Sequence, residues 1–230
     1  MLSVMYEELK PMVKPGVTPK ELDTFAYDFI KRNGGKPAFL GYEGFPATLC
    51  ISVNEVVIHG IPSDRPLAEG DIVGIDGGIE LDGYFSDAAM TLPVGAISKD
   101  AQKLLDVTRE SLRLALEQIR PHARISDISR AVFSYVTKNG LKVVRQYCGH
   151  GVGLEMHEDP QIPNYVSPGP NPRLMPGMVL AIEPMINIGT SDVRVLDDDW
   201  TVVTMDGSLS AHFEHTVLVT DSGCEVLTRW

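Results

Sequence analysis

Three cysteines in 230 residues, Cys50, Cys148 and Cys224, are too few and too scattered for a disulfide framework. None belongs to a CxxC pair that would hold a thiolate zinc site, so they fit a reducing compartment. No apolar run approaches the length of a bilayer span, and the opening MLSVMYEELK lacks the basic segment and apolar core of a secretory leader. The chain is therefore expected to be soluble and cytoplasmic, with no membrane partner. Positive charge is scarce as well. Twenty lysines and arginines against 31 acidic residues leave a formal charge of -11, which excludes a surface devoted to nucleic acid. Lys31, Arg32 and Lys36 lie close together, but they read as a solvated helix terminus favourable to the helix dipole.

What the chain does contain is a core, since 43% of its residues are hydrophobic. Residues 2–13 read as a short helix. Thr18-Pro19-Lys20-Glu21 supplies an N-cap, a proline at the first helical position and a glutamate three residues after the cap, starting a helix that runs to about Asn33. Residues 36–52 read as loop with a short strand, and 51–58 as a strand. Strands at 72–79 and 84–92 follow, joined by a turn at Leu81-Asp82-Gly83. Apolar residues at helical spacing predict a long helix after Ser98, ended by Pro121, and another after Ser126 that stops at Asn139-Gly140. The last third reads as strands at 143–147, 179–187, 193–196, 200–205, 211–220 and 224–228. A shift of 106 residues lays Pro15 on Pro121, Leu22 on Ile128, Phe29 on Tyr135, Asn33 on Asn139 and Gly34 on Gly140 without a gap. The expectation is an α+β fold in one domain, 1–230, with pseudo-twofold halves of about 1–97 and 98–230, each made of amphipathic helices and antiparallel strands.

Carboxylates inside apolar strands carry the chemistry. Asp76 sits in IVGIDGG and Asp87 in YFSDAAM. If Ile79 pairs with Tyr84 around a four-residue loop, the two aspartates face each other directly and repel. Glu183 in VLAIEPMIN and Glu214 in AHFEHTVLVT repeat the pattern, and a lone buried glutamate is a poor choice for stability unless it is paired. A divalent cation removes the cost. The passage 149–160, GHGVGLEMHEDP, reads as a glycine-rich loop that presents His150 and His157. Oxygen and imidazole ligands without thiolate suit Mn, Fe(II), Co or Zn. Shared between two ions, they would make a two-metal centre able to activate water and polarise a carbonyl.

With HGIP at His59, the Asp76 and Asp87 pair, YCGHGVGLEMHEDP, IEP at Glu183 and EHTVLVTDSGCEVLT at Glu214, the chain resembles the type I methionine aminopeptidases, the pita-bread metalloproteases. The resemblance implies a pita-bread fold and two divalent ions held by Asp76, Asp87, His150, Glu183 and Glu214, with Asp87 and Glu214 bridging. It implies removal of N-terminal methionine, a metal-bridging hydroxide attacking the first peptide carbonyl. In that scheme Glu183 manages the water proton, His157 donates a hydrogen bond to the carbonyl oxygen, and His59 contacts the substrate. Phe39, Tyr42, Phe45, Cys50, Met156 and Trp200 would form the methionine pocket, where aromatic faces and soft sulfur suit a thioether. The partners implied are the N-terminal methionine of nascent polypeptides and, transiently, the ribosome that presents them; nothing demands more than a monomer. The short spacing between Glu183 and Glu214 leaves no room for the helical insertion of type II members, and without the N-terminal zinc-binding extension of eukaryotic cytosolic type I members a bacterial or organellar form is expected.

Four residues depart from the family's usual pattern: Gly77 and Gly78 after Asp76, Ala88 after Asp87, and Phe45 where tyrosine is frequent. They remove hydrogen bonds behind the ligands and leave the ligands in place. The rival readings are an Xaa-Pro aminopeptidase or dipeptidase of the same fold, and a non-catalytic pita-bread binding protein.

Overall fold

The computed structural model describes residues 1–230. Its helices are α1 (Leu2–Leu9), α2 (Pro19–Arg32), α3 (Lys99–Leu116) and α4 (Ile125–Lys138). In the first part of the chain the strands are β1 (Lys36–Pro37), β2 (Leu49–Val53), β3 (Val56–Ile58), β4 (Ile72–Leu81) and β5 (Tyr84–Pro93). The second part carries β6 (Lys142–Val143), β7 (Gly149–Gly151), β8 (Glu158–Ile162), β9 (Val179–Ile182), β10 (Met185–Asn187), β11 (Val193–Val195), β12 (Val202–Thr204), β13 (Ser210–His212), β14 (His215–Val219) and β15 (Cys224–Val226). All strand pairs are antiparallel. They form four sheets: β1-β4-β2 with β5 on β4, β13-β10-β6, β11-β12-β3, and β15-β14-β9-β7-β8.

The helices form where capping and amphipathic spacing coincide. Thr18 and Glu21 close the capping box on α2, and Ser98 accepts the Ala101 N–H at the start of α3. α4 begins at Ile125, earlier than the Ser126 start expected, because the Asp127 carboxylate accepts the Arg124 N–H at 2.9 Å. The apolar faces of all four helices meet the sheets in one continuous core, in which Met5, Leu22, Ile75, Leu104 and Val132 are completely buried.

Several strand assignments change. The β4–β5 turn has two residues, Asp82 and Gly83, both at positive φ (52° and 82°), as a type I′ turn requires. The register is therefore two residues away from the expected one: Leu81 pairs with Tyr84, Asp76 with Ala89 and Asp87 with Gly78. Asp76 and Asp87 still share a face, but diagonally rather than directly opposite. The strand expected at 51–58 is split at Asn54, which turns at φ 55°. Only the first residue of the strand expected at 143–147 pairs in a ladder. Each long strand expected at 179–187 and 211–220 is broken at its glutamate, because the chain there leaves the five-stranded sheet for the three-stranded one, or the reverse. Pro184, with no N–H to give a ladder, marks the first break.

Candidate metal centre

The two breaks and the β4–β5 hairpin converge on a cavity of about 710 Å³ lined by Asp76, Asp87, His150, Glu183 and Glu214. One ligand atom each from Asp87, His150 and Glu214 lie within 4.8 Å of one another. His150 Nε2 is 3.5 Å from Glu183 Oε1 and 3.9 Å from Asp87 Oδ2. His150 does not stand on a loop, as expected, but on β7, inside the five-stranded sheet. The glycines around it serve close packing between strands: a Cβ on Gly149 would lie 2.3 Å from the Ala181 carbonyl oxygen, and one on Gly151 2.4 Å from that of Asp159. His150 Nδ1 is 2.8 Å from the Gly151 carbonyl oxygen, to which it donates its proton. The Nε2 lone pair is thereby free to face the carboxylates, the arrangement of a metal-ligating histidine.

Burial dominates the electrostatics. Asp87 and Glu214 are 4% and 1% exposed, and Asp87 is pushed up to about 7 by desolvation. Burial, then the charges of Asp87 and Glu183, hold Asp76 well above the usual carboxylate range. Burial, then Asp87, does the same to Glu183; for Glu214 burial is joined by Asp87, Glu183 and Asp76. Burial likewise drives His150 and His59 down to about 4, so both rings are neutral. No lysine or arginine lines the cavity. Asp76 Oδ1, Asp87 Oδ1 and Glu214 Oε1 are shut away from solvent without a hydrogen-bond partner. Orphaned carboxylate oxygens around a neutral imidazole, with no cation of the chain's own, are what a divalent ion would satisfy, so the donor set fits the metal.

The remaining expected site residues surround the cluster. His157 stands at the mouth, its ring centroid 4.3 Å from that of His150, and its Nδ1 is 2.8 Å from the Tyr42 hydroxyl. The walls that partly enclose it lower its pKa. His59 packs edge-on against Tyr147 and Trp200. Phe39, Phe45, Cys50 and Met156 form a buried apolar cluster with Tyr42 and Trp200 packed against it. Gly78 makes that cluster possible, since a Cβ there would lie 2.8 Å from Phe39 and 3.2 Å from Met156. Gly77 similarly admits Leu49, at 2.7 Å.

Other contributors carry little sequence signal. Tyr6 on α1, fully buried, donates its hydroxyl to the carbonyl oxygen of Ala88 beside Asp87. Asn164 Nδ2 donates to the Glu183 carbonyl at 3.0 Å, and the Trp230 indole N–H to that of Glu214 at 3.1 Å. His212, also buried, sits 3.6 Å from Glu183 through its Nε2. Only the histidine's place two residues before Glu214, inside an apolar strand, could have pointed to it.

Buried carboxylates and an imidazole at the end of a cleft, lacking a countercharge, define a metal-dependent hydrolase centre. Comparison places it further: the chain belongs to metallopeptidase family M24, whose model matches residues 1–221. Within that family it is similar to methionine aminopeptidase 1 of Bacillus subtilis, at 53% identity over 229 residues, covering all of this chain and 92% of that protein. It superposes on the crystal structure of methionine aminopeptidase from Thermotoga maritima with a TM-score of 0.97 at 45% identity, covering 100% of this chain and 92% of that one. The fold is thus that of the pita-bread enzymes. A prolidase from Pyrococcus furiosus shares the fold at a TM-score of 0.78, but at 24% identity and over 60% of its own length.

Proposed function

We propose that this chain is a methionyl aminopeptidase that removes N-terminal methionine from peptides and nascent proteins with the help of divalent metal. The observation that carries this is the orphaned carboxylate cluster at the end of a cleft whose side wall is an aromatic and sulfur-lined pocket. The likeness to methionine aminopeptidases over the full length supports the substrate, and the weaker likeness to prolidase does not compete with it. Asp76, Asp87, His150, Glu183 and Glu214 would hold two divalent ions, with Co, Mn, Fe(II) or Zn all matched by the oxygen and nitrogen donors. Bound there, such ions supply Lewis acidity and lower the pKa of water.

The chain's own groups do the rest. Glu183, whose Oε1 lies 3.5 Å from His150 Nε2, would accept and return the proton of the attacking water through its carboxylate. With the Tyr42 hydroxyl donating to Nδ1 of His157, the neutral ring carries its proton on Nε2, from which it donates to the carbonyl oxygen as charge develops. His59, neutral and fixed by Tyr147 and Trp200, lines the same cavity on the side of the leaving amide. Phe39, Tyr42, Phe45, Cys50, Met156 and Trp200 hold the methionine side chain. Residues of both halves line this one cavity, which supports a single catalytic domain over 1–230. No helix is long and apolar enough to cross a membrane, and three free cysteines suit a reducing, cytoplasmic setting, in which the proposed enzyme would act as a monomer on chains leaving the ribosome. Methionine release from Met-Ala-Ser after loading with Mn or Co, with Ala-Pro-Ala as the contrasting peptide, tests the reading. Release that persists in chelator, or preference for Ala-Pro-Ala, would overturn it.

A further inference from the structure

His212 is an imidazole at the centre to which the reaction above gives no task. It ends β13, its side chain is 4% exposed, and its Nε2 is shut off from solvent with no hydrogen-bond partner. A ring nitrogen left so is costly unless something uses it. It faces Glu183 Oε2 at 3.6 Å, while Oε1 of the same carboxylate faces His150 Nε2 at 3.5 Å. Glu183 thus lies between two imidazoles, one at each oxygen. Other, partly buried histidine rings are engaged elsewhere: His215 stacks on Trp230, and His59 packs on Tyr147 and Trp200.

The position also has a counterpart across the seam between the halves. There the Glu214 N–H donates to the Ala89 carbonyl at 2.8 Å. On one side of that bond the Thr216 hydroxyl accepts the Asp87 N–H at 2.9 Å and donates to the Asp87 carbonyl at 2.7 Å. On the other side Thr91 does the same for His212, at 2.9 and 2.8 Å. This local twofold exchanges Asp87 with His212. His212 therefore enters the cluster from the second half at the place where a carboxylate enters from the first.

We propose that His212 is a positioning residue for the metal centre: with the ion bound, its Nε2–H closes the 3.6 Å gap to Glu183 Oε2 and fixes that carboxylate with Oε1 turned toward His150 and the ion. The inference rests on the reading of Glu183 as a metal ligand. Partners that hold a ligating carboxylate in this way typically contribute about 10 to 100-fold to metal affinity.

Two variants separate the hydrogen bond from the shape of the ring. His212→Phe keeps a ring and removes the donor, whereas His212→Gln keeps an N–H and removes the ring. Co(II) is titrated into each apoprotein by calorimetry, and the visible absorption of the bound ion is recorded. His212→Phe is expected to lose about 10 to 100-fold in Co(II) affinity and to alter the absorption bands, with His212→Gln within about threefold of the parent. Parent-like affinity and spectrum in His212→Phe overturn the proposal. So does an equal loss in both variants, because shape alone then matters. Should His212→Phe not fold, His212→Gln decides: retained affinity supports the proposal and a loss of tenfold or more overturns it. A parent protein that binds no Co(II) sinks the metal-centre reading instead, a separate result.

Discussion

The two halves of the molecule deliver their carboxylates in different ways. Asp76 and Asp87 stand on an unbroken hairpin of two ten-residue strands, where the pleat itself aims both side chains to one face. Glu183 and Glu214 stand in gaps where the chain passes from one sheet to another, and no ladder sets their direction. Their backbones are held instead by hydrogen bonds that Asn164 and Trp230 donate to the two carbonyls and that the Glu214 N–H donates to the Ala89 carbonyl. Regular structure secures one pair of acids; distant contacts secure the other. The second half should therefore be the more sensitive to changes made away from the ligands.

The largest effect tests whether the halves are equal at the ligands themselves. Asp87→Ala and Glu214→Ala are each expected to lower kcat/KM for Met-Ala-Ser with Mn by on the order of a thousandfold or more, since Lewis-acid activation is worth several kcal/mol. Near-normal methionine release by either variant would break the symmetry of the pair.

Next is the pH dependence of the metal-free fold. Asp87 rises from 3.8 to about 7 on folding, so its contribution to stability is fully present below its unfolded pKa and is lost as pH climbs through the folded value. Between about pH 4 and 7, apo Asp87→Asn should gain on the apo parent by on the order of a few kcal/mol. The histidines with lowered pKa oppose this trend below 6.5 in both proteins, whereas loss of the Asp87 charge also eases ionisation of Asp76, Glu183 and Glu214 and widens the gap in the same direction. Thermal melts of the two apoproteins across this range check it; a constant gap would mean that Asp87 is not desolvated.

The glycines sharpen the contrast further. Gly149→Ala drives a Cβ against a backbone oxygen at 2.3 Å, and is expected to cost about 3 kcal/mol or more. Gly77→Ala in the first half meets only the end of the Leu49 side chain, at 2.7 Å, and should cost about 1 kcal/mol. Denaturant titrations rank them, and equal losses would contradict the packing described. The smallest effect belongs to Tyr6→Phe, which takes a hydrogen bond from the backbone beside Asp87. It should lower stability by about 1 kcal/mol and leave Mn affinity within threefold, because the hairpin ladder still aims the ligand.

This difference between the halves also explains what the sequence disclosed. Charged residues isolated in apolar strands made Asp76, Asp87, Glu183 and Glu214 visible, and the capping box at Thr18 and the Asp82-Gly83 turn marked their elements. The hairpin register was missed by two residues because sequence does not say how many residues a turn consumes. The breaks at Glu183 and Glu214 were missed because local hydrophobicity continues across them; only the sheet that each segment joins changes. His150 read as a loop residue because glycines on both sides penalise a strand, whereas here they are what allows neighbouring strands to approach. Asn164 and Trp230 act from positions remote in sequence from what they hold, and no spacing announces them; His212 is hinted at only by its place two residues before Glu214 in an apolar strand.

The threonine clasps at the seam make it intolerant of insertions and deletions. Asp87 and Thr91 lie on one strand, His212 and Thr216 on the facing segment, and each threonine grips a residue of the opposite half. Deleting one residue between Asp87 and Thr91 would leave either Asp87 or His212 without its clasp and shift the bond between Ala89 and Glu214. The spacings 87–91 and 212–216 therefore have to match each other, since together they set the pitch at which the two halves mesh.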